Sequence, residues 1–351
     1  MANLRFAMFG TGFWSRFQLA GWIEAGGVEC VALYNRTVSK AEKLAAEFGI
    51  PQENVFGSTE KLLDTVPDLD FVDICTAVEL HAPMTKQVAD RGIDVVCQKP
   101  MAVTLEEGEE MLRYCQDKEV KFIVNENFRW QTPIRTFKKQ MDTGRIGQPF
   151  RANLHFVTSF PVFDNQPFLK ELEQFMLTDV GSHILDVARF LFGEAKTLYC
   201  RTQRIHSDIK GEDVATVVMT MGDTEGPTGG VTVSCEMSYA SRTEIERFPE
   251  TYIYVEGDKG FLELGPDFWI RETTEDGTLS RRYPPPRYPW ADPAYDIVHS
   301  SIVPAQVDIA AALRGDKDAE TDGTDNINTV RLVFGSYESA TTQQVIVPRL
   351  D

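Results

Sequence analysis

From residue 5 to about residue 125, short apolar runs alternate with segments whose apolar positions recur every three or four residues. The pattern predicts strands at 5–9, 28–34, 71–75, 94–98 and 120–125, with helices near 13–25, 39–48, 81–91 and 105–117 between them. Gly26-Gly27, Gly49 and Gly92 fall just past helix ends, and Thr104 with Glu107 makes a capping box for the fourth helix. Such alternation is the signature of a doubly wound parallel sheet with helices on both faces, an α/β Rossmann arrangement.

After Asn125 the rhythm changes. Helices near 132–142 and 175–192 bracket one strand, and strand-like runs then follow without intervening helices at 195–206, 214–221, 230–240, 251–256 and 261–264. Glu256-Gly257-Asp258-Lys259-Gly260 joins the last two as a hairpin, and helices near 302–313 and 326–343 close the chain. This reads as a C-terminal α+β domain with an open-faced, mainly antiparallel sheet. One face is covered by helices, and the other is solvated or covered by a partner, so a homo-oligomer (dimer or tetramer) through this sheet is expected. A chain of 351 residues exceeds what one core usually serves, and the boundary is set at residues 1–125 and 126–351.

Composition narrows the function class. Hydrophobic residues at 42% and charged residues at 25% describe an ordinary globular chain. Thirty-five Lys and Arg against 53 Asp and Glu give a net charge of −18, which repels nucleic acid. No apolar run approaches the ~20 residues of a membrane helix. The N-terminus runs into its first strand with no charged-then-apolar leader, and six cysteines without a CxxC pair predict reduced thiols and a cytoplasmic chain. No His/Cys cluster has metal-ligand spacing, so no metal is expected.

Gly10-Thr11-Gly12-Phe13-Trp14-Ser15 follows the first strand and opens the first helix. Gly10 permits the tight turn and Gly12 lets the backbone approach a pyrophosphate at the helix N-terminus, while Ser15 stands where the fingerprint has its third glycine. At the end of the second strand, Asn35-Arg36-Thr37 and Lys40 replace the carboxylate that usually binds a ribose 2′-hydroxyl. With no acid to repel a 2′-phosphate, the coenzyme is read as NAD(P), NADP favoured over NAD; Asn35 can still bond a plain ribose. Two further segments carry chemistry: Cys97-Gln98-Lys99-Pro100 at a strand end, and Asp179-Val180-Gly181-Ser182-His183, which a helix would stack on one face. Lysine, histidine and carboxylate suit proton removal from a hydroxyl as a hydride leaves its carbon.

Taken in order, Gly10-Thr11-Gly12, Gln98-Lys99-Pro100 and Asp179-x-Gly181-x-His183-x-x-Asp186 resemble the Gfo/Idh/MocA oxidoreductases, the family of glucose-fructose oxidoreductase and inositol dehydrogenase. The resemblance extends over essentially the full length. It implies a Rossmann domain, an open-faced sheet domain used for oligomerisation, and pyridine-nucleotide redox chemistry on a small carbohydrate, either an aldose or a cyclitol. It assigns catalysis to Lys99, His183 and Asp179. Gln98 stands in place of a family glutamate, a neighbour of the lysine and coenzyme. Thr76 and Ala77 would border the ribose and nicotinamide, and His81 is a positioning or packing residue. Arg129 and Trp130 line the substrate or nicotinamide pocket, or else serve an interdomain ion pair and core packing. Asp186 caps, salt-bridges or touches substrate. Selectivity is assigned to 160–168 and the proline-aromatic stretch ending at Trp290, where an oligomer interface is an equal reading. Two alternatives share the fold: a glycosidase acting by transient oxidation, and a non-catalytic sugar-sensing regulator.

Overall fold

The computed structural model describes residues 3–226 and 228–349. By compactness the chain divides into unit 1, Met1–Glu126 with Pro289–Ala291 and Ile302–Val330, and unit 2, which holds the remainder. The expected break at 125/126 left everything beyond it in one domain. The chain instead returns to unit 1 twice, and the longer return, Ile302–Val330, supplies apolar cover for the first sheet.

Unit 1 runs β1 (Leu4–Phe9), α1 (Phe13–Ala25), β2 (Val28–Tyr34), α2 (Val38–Phe48), β3 (Val55–Phe56), α3 (Thr59–Thr65), β4 (Phe71–Ile74), α4 (His81–Ala89), β5 (Asp94–Gln98), α5 (Leu105–Asp117) and β6 (Phe122–Asn125). The sheet is parallel in the order β3-β2-β1-β4-β5-β6, so the strand order reverses between β1 and β4, where such sheets bind ligands at their carboxyl ends. β3 and α3 were not predicted. A two-residue strand has no period to read, and α3 announces itself only through Ser58, whose hydroxyl accepts from the Lys61 amide. The core joins Phe6, Trp22, Leu33 and Phe71 to Ile309, Ala310, Leu313 and Ala319 from the late segment. Phe6 and Phe71 stack at 4.8 Å. The far edge of β6 is closed by residues 321 and 322: the Val124 amide donates to the Thr321 carbonyl at 2.9 Å.

Unit 2 contains α6 (Thr132–Met141), β7 (Pro149–Val157), α7 (Val162–Asn165), α8 (Ser182–Phe192), β8 (Ala195–Gln203), β9 (Val214–Met221), β10 (Val231–Ser238), β11 (Tyr252–Gly257), β12 (Gly260–Gly265), β13 (Trp269–Thr274) and β14 (Gly277–Arg282). Two long helices, α9 (Asp296–Leu313) and α10 (Gly323–Thr342), each contribute to both units. The eight strands order as β14-β13-β12-β11-β7-β10-β9-β8, antiparallel throughout except for the parallel β7/β10 pair. The predicted hairpin is the β11/β12 turn, with Gly257 opposite Gly260. β13 and β14 went unpredicted, since β14 is exposed along its whole length and carries no apolar alternation. One face buries Leu154, Phe156, Val217, Met219, Val233 and Cys235, while Asn153, His155, Ser234, Glu236 and Tyr254 on the other are only partly covered. That open face is the one expected from the strand pattern. Among the described residues, no helix is long and apolar enough to cross a membrane.

Candidate active site

The turn between β1 and α1 is built on Gly10. Its φ is +95°, its amide donates to the Tyr34 carbonyl at 2.8 Å, and a Cβ here would lie 2.5 Å from the Cys75 carbonyl oxygen, so only glycine fits. Gly12 starts α1 and its missing Cβ faces open space; the first turn of the helix holds no acid. The Thr11 hydroxyl is buried without a hydrogen-bond partner. An open helix N-terminus with no repelling charge fits a dinucleotide pyrophosphate. Ser15, in the place of the fingerprint's third glycine, is fully buried and caps the helix, its Oγ accepting from the Gly12 amide at 3.1 Å. Phe13 is exposed and Trp14 half-buried on the same turn.

Asn35 is held on both sides of its amide. Its Oδ1 accepts from the Thr11 amide at 3.4 Å, and its Nδ2 donates to the Thr37 carbonyl at 2.9 Å. Arg36 and Lys40 beside it are exposed.

Lys99, half-buried, follows β5 and belongs to unit 1, with its amide donating to Gln98 Oε1 at 2.9 Å. The turn it starts is pinned by His81. Nδ1 of that ring lies 3.1 Å from the Pro100 carbonyl and 3.3 Å from that of Met101, and Nε2 lies 3.2 Å from that of Thr76. Burial pushes the His81 pKa below its ordinary value, with the carbonyl contacts pulling the other way. The residue therefore ties the Lys99-Pro100-Met101 turn to the end of β4. Thr76 and Ala77 sit on that same β4 exit, Thr76 half-buried and Ala77 exposed.

Beneath this edge lies a carboxylate that the sequence reading missed. Asp73, on β4, is fully buried. Its Oδ2 accepts from Trp22 Nε1 at 2.6 Å and Gln18 Nε2 at 3.0 Å, and its Oδ1 accepts from Asn125 Nδ2 at 3.1 Å and the Cys75 thiol at 3.7 Å. Burial raises its pKa from 3.8 to about 6 against those four donors. An acid inside the otherwise apolar run Phe71-Val72-Asp73-Ile74 was the available signal.

In unit 2, His183 opens α8 and is buried. The Phe128 ring lies flat on its imidazole, with centroids 3.8 Å apart and planes 11° apart. Asp179 does not sit on regular α-helix: Leu177–Gly181 form a π turn running directly into α8. The expected stacking at a spacing of four rests on 3.6 residues per turn, and the turn that carries Asp179 is wider than that. Its N-terminal end is anchored by Glu212, whose carboxylate accepts from the Phe175 amide at 3.3 Å, the Leu177 amide at 3.1 Å and the Tyr337 hydroxyl at 2.6 Å. Burial and that carboxylate push the Tyr337 phenol far up. Neither the π turn nor Glu212, which lies 35 residues from Leu177, has a local sequence signal.

Arg129 and Asp186 form a buried fork within unit 2, with Nε to Oδ2 at 2.7 Å and Nη2 to Oδ1 at 2.5 Å. The pair is therefore not interdomain. Trp130 is buried, with the Arg135 guanidinium 4.2 Å from its ring centroid. Of the nominated selectivity segments, Phe160 stacks on Phe248 at 4.0 Å and meets Tyr295 edge-on. Trp290 belongs to unit 1, its Nε1 donating to Glu24 at 3.4 Å.

Residues 4–126 match the model of an oxidoreductase family with an NAD-binding Rossmann fold, and residues 134–263 match that of the GFO/IDH/MocA C-terminal domain. A D-apiose dehydrogenase of Paraburkholderia graminis is 37% identical over 334 residues, covering 95% of this chain and 87% of that protein. One from Rhizobium rhizogenes is 34% identical, covering 99% and 98%. An oxidoreductase from Agrobacterium radiobacter, solved in complex with NAD+, L-tartaric acid and magnesium, matches with a TM-score of 0.93 at 33% identity, over 99% of this chain and 98% of that one.

Proposed function

We propose residue roles, a substrate and a coenzyme preference for a chain that belongs to the GFO/IDH/MocA oxidoreductase family. It is an NAD(P)-dependent oxidoreductase of CH–OH groups, moving a hydride between the carbon of a sugar or polyol hydroxyl and nicotinamide. The substrate assigned is an aldose such as apiose, oxidised at a ring hydroxyl. The observation carrying this assignment is the near-full-length likeness to two D-apiose dehydrogenases. The phrases Tyr34-Asn35-Arg36-Thr37, Cys97-Gln98-Lys99-Pro100-Met101 and Glu126-Asn127-Phe128-Arg129-Trp130-Gln131 point the same way. The relatives are dehydrogenases and oxidoreductases, which favours neither glycoside cleavage nor regulation.

Nicotinamide, when bound, supplies the hydride acceptor. Residues 10–14 hold the pyrophosphate, and Thr76, Ala77 and Gln98 border the rest of the coenzyme. His183 takes the hydroxyl proton, and its flat packing on Phe128 supports a fixed imidazole. Asp179 orients that imidazole or shares the substrate with it. The Lys99 Nζ is assigned to hydrogen-bond a substrate oxygen and stabilise developing charge there, from a turn that His81 braces. Each such group is worth on the order of 10² to 10⁴ in rate. Arg129, with Asp186, fixes the turn bearing Phe128 and Trp130.

NADP is the coenzyme favoured by the adenosine loop: Asn35 is already committed to Thr11 and Thr37, and Arg36 and Lys40 are exposed cations. The second reading, NAD, is supported by the NAD+ bound in the Agrobacterium oxidoreductase. The half-covered face of the eight-stranded sheet supports a homo-oligomer, and six free thiols support a reducing cytoplasm.

Absorbance at the reduced-nicotinamide band, followed with both coenzymes against apiose, other pentoses, hexoses and inositols, tests the activity; silence with all of them ends it. His183→Ala should abolish turnover and spare coenzyme binding, and unaltered turnover removes the histidine from its role.

A further inference from the structure

The helical stretch that carries Asp179 and His183 is held at its start by one residue from elsewhere in unit 2. The amides that open a helix have no partner within it, and Glu212, at the entry to β9, takes three in succession. Its carboxylate accepts from the Phe175 amide at 3.3 Å and the Leu177 amide at 3.1 Å, and its carbonyl accepts from the Met176 amide at 3.2 Å. Phe175, Met176 and Leu177 are fully buried, which removes water as the alternative acceptor. The acid is itself buried and fixed, with Oε1 accepting from the Tyr337 hydroxyl of α10 at 2.6 Å. Gly211 allows the close approach: a Cβ there would stand 2.7 Å from the Leu172 carbonyl oxygen and 3.0 Å from that of Glu173.

The other end of the irregular stretch is fixed separately. Beyond the π turn Leu177–Gly181, Asp186 is forked onto Arg129 and the His183 ring lies flat on Phe128. A π turn spaces its hydrogen bonds one residue wider than an α turn, and it is rare. With both ends pinned, the extra residue is trapped between them. With the first end released it can slip out, and a slip of one residue turns a helical side chain by about 100°.

We propose that Glu212 is a positioning residue for the oxidoreductase reaction: by holding the amides of Phe175, Met176 and Leu177 it preserves the π turn, and with it the direction of the Asp179 carboxylate. The inference rests on the role given to Asp179 above. Helices are ordinarily capped by a short polar side chain adjacent in sequence. A carboxylate brought from the entry of β9 and pinned by α10 fixes where this helix starts, beyond whether it forms.

The test is a double-mutant cycle on the full chain, with Glu212→Gln, Asp179→Asn and both together, measuring kcat and KM for the fastest-reacting sugar of the panel above and the dissociation constant of coenzyme. Glutamine keeps the shape but turns one acceptor into a donor. In Glu212→Gln, kcat should fall on the order of tenfold to a hundredfold, with coenzyme affinity unchanged. Amide exchange at 175–177 should quicken. In the Asp179→Asn background, the same substitution should cost no further kcat. Losses that simply add, amide exchange equal to the parent's, or an unchanged kcat beside an impaired Asp179→Asn enzyme overturn the inference and leave the reading of Asp179 intact. A fully active Asp179→Asn enzyme removes both. Should Glu212→Gln fail to fold, Tyr337→Phe withdraws the hydroxyl from Oε1 and leaves both amide bonds in place. It must then lower kcat on the order of threefold, and only where Asp179 is present; an unchanged kcat overturns the inference.

Discussion

Replacing Asp73 with asparagine isolates the energetics of a charge buried near the carboxyl edge of the parallel sheet. Burial raises its folded-state pKa from 3.8 to about 6. The folded chain therefore binds a proton that the unfolded chain has released between those values. The stability this group contributes is fully present below about pH 3.8 and is lost as pH rises through about 6. A displacement of about 2 pH units corresponds to about 3 kcal/mol. Asparagine keeps the shape and does not ionise. Its oxygen can accept from Trp22 and Gln18, and its amide can face Asn125, whose own amide turns over to present an oxygen. Urea unfolding of both proteins over a pH series gives the two stabilities. The variant should gain on the parent by about 3 kcal/mol as pH rises through the window from 3.8 to about 6, then hold level. A difference independent of pH would refute the claim that this carboxylate is ionised at a cost in the folded chain.

Asp186→Ala strips the carboxylate from a guanidinium that is only 5% exposed, so a loss of about 3–5 kcal/mol in unfolding free energy is expected. Turnover should fall with it, because the Arg129 turn also carries Phe128. Gly10→Ala places a Cβ against the Cys75 carbonyl at φ +95°, which should cost about 2 kcal/mol or more and weaken coenzyme binding measured by calorimetry. Arg36→Ala should reduce kcat/KM with NADP by about tenfold while leaving that with NAD nearly unchanged. An unaltered ratio would transfer the preference to NAD.

The parallel sheet was legible because its signals are local. Each strand is a short apolar run, each helix has a period, and Gly10 sits where a strand must turn into a helix. The β11/β12 hairpin was legible for the same reason. β3 and β14 escaped because one is two residues long and the other is exposed on every residue. At the candidate site, Lys99 and His183 drew attention through their motifs, but what holds them did not. Phe128 stacks on a ring 55 positions later, Glu212 anchors a turn 35 residues earlier, and Asp73 meets Trp22 across 51 positions. Such partners are chosen by the completed fold. The π turn likewise has no composition of its own.

The late segment Ile302–Val330, which completes the hydrophobic interior beneath β1 to β6, has a consequence for biosynthesis. On the ribosome an N-terminal Rossmann sheet would ordinarily fold before the rest emerges. Here Phe6, Trp22 and Phe71 lack Ile309, Leu313 and Ala319 until every strand of both sheets has been translated, so the first sheet carries an uncovered greasy flank while the second is being made.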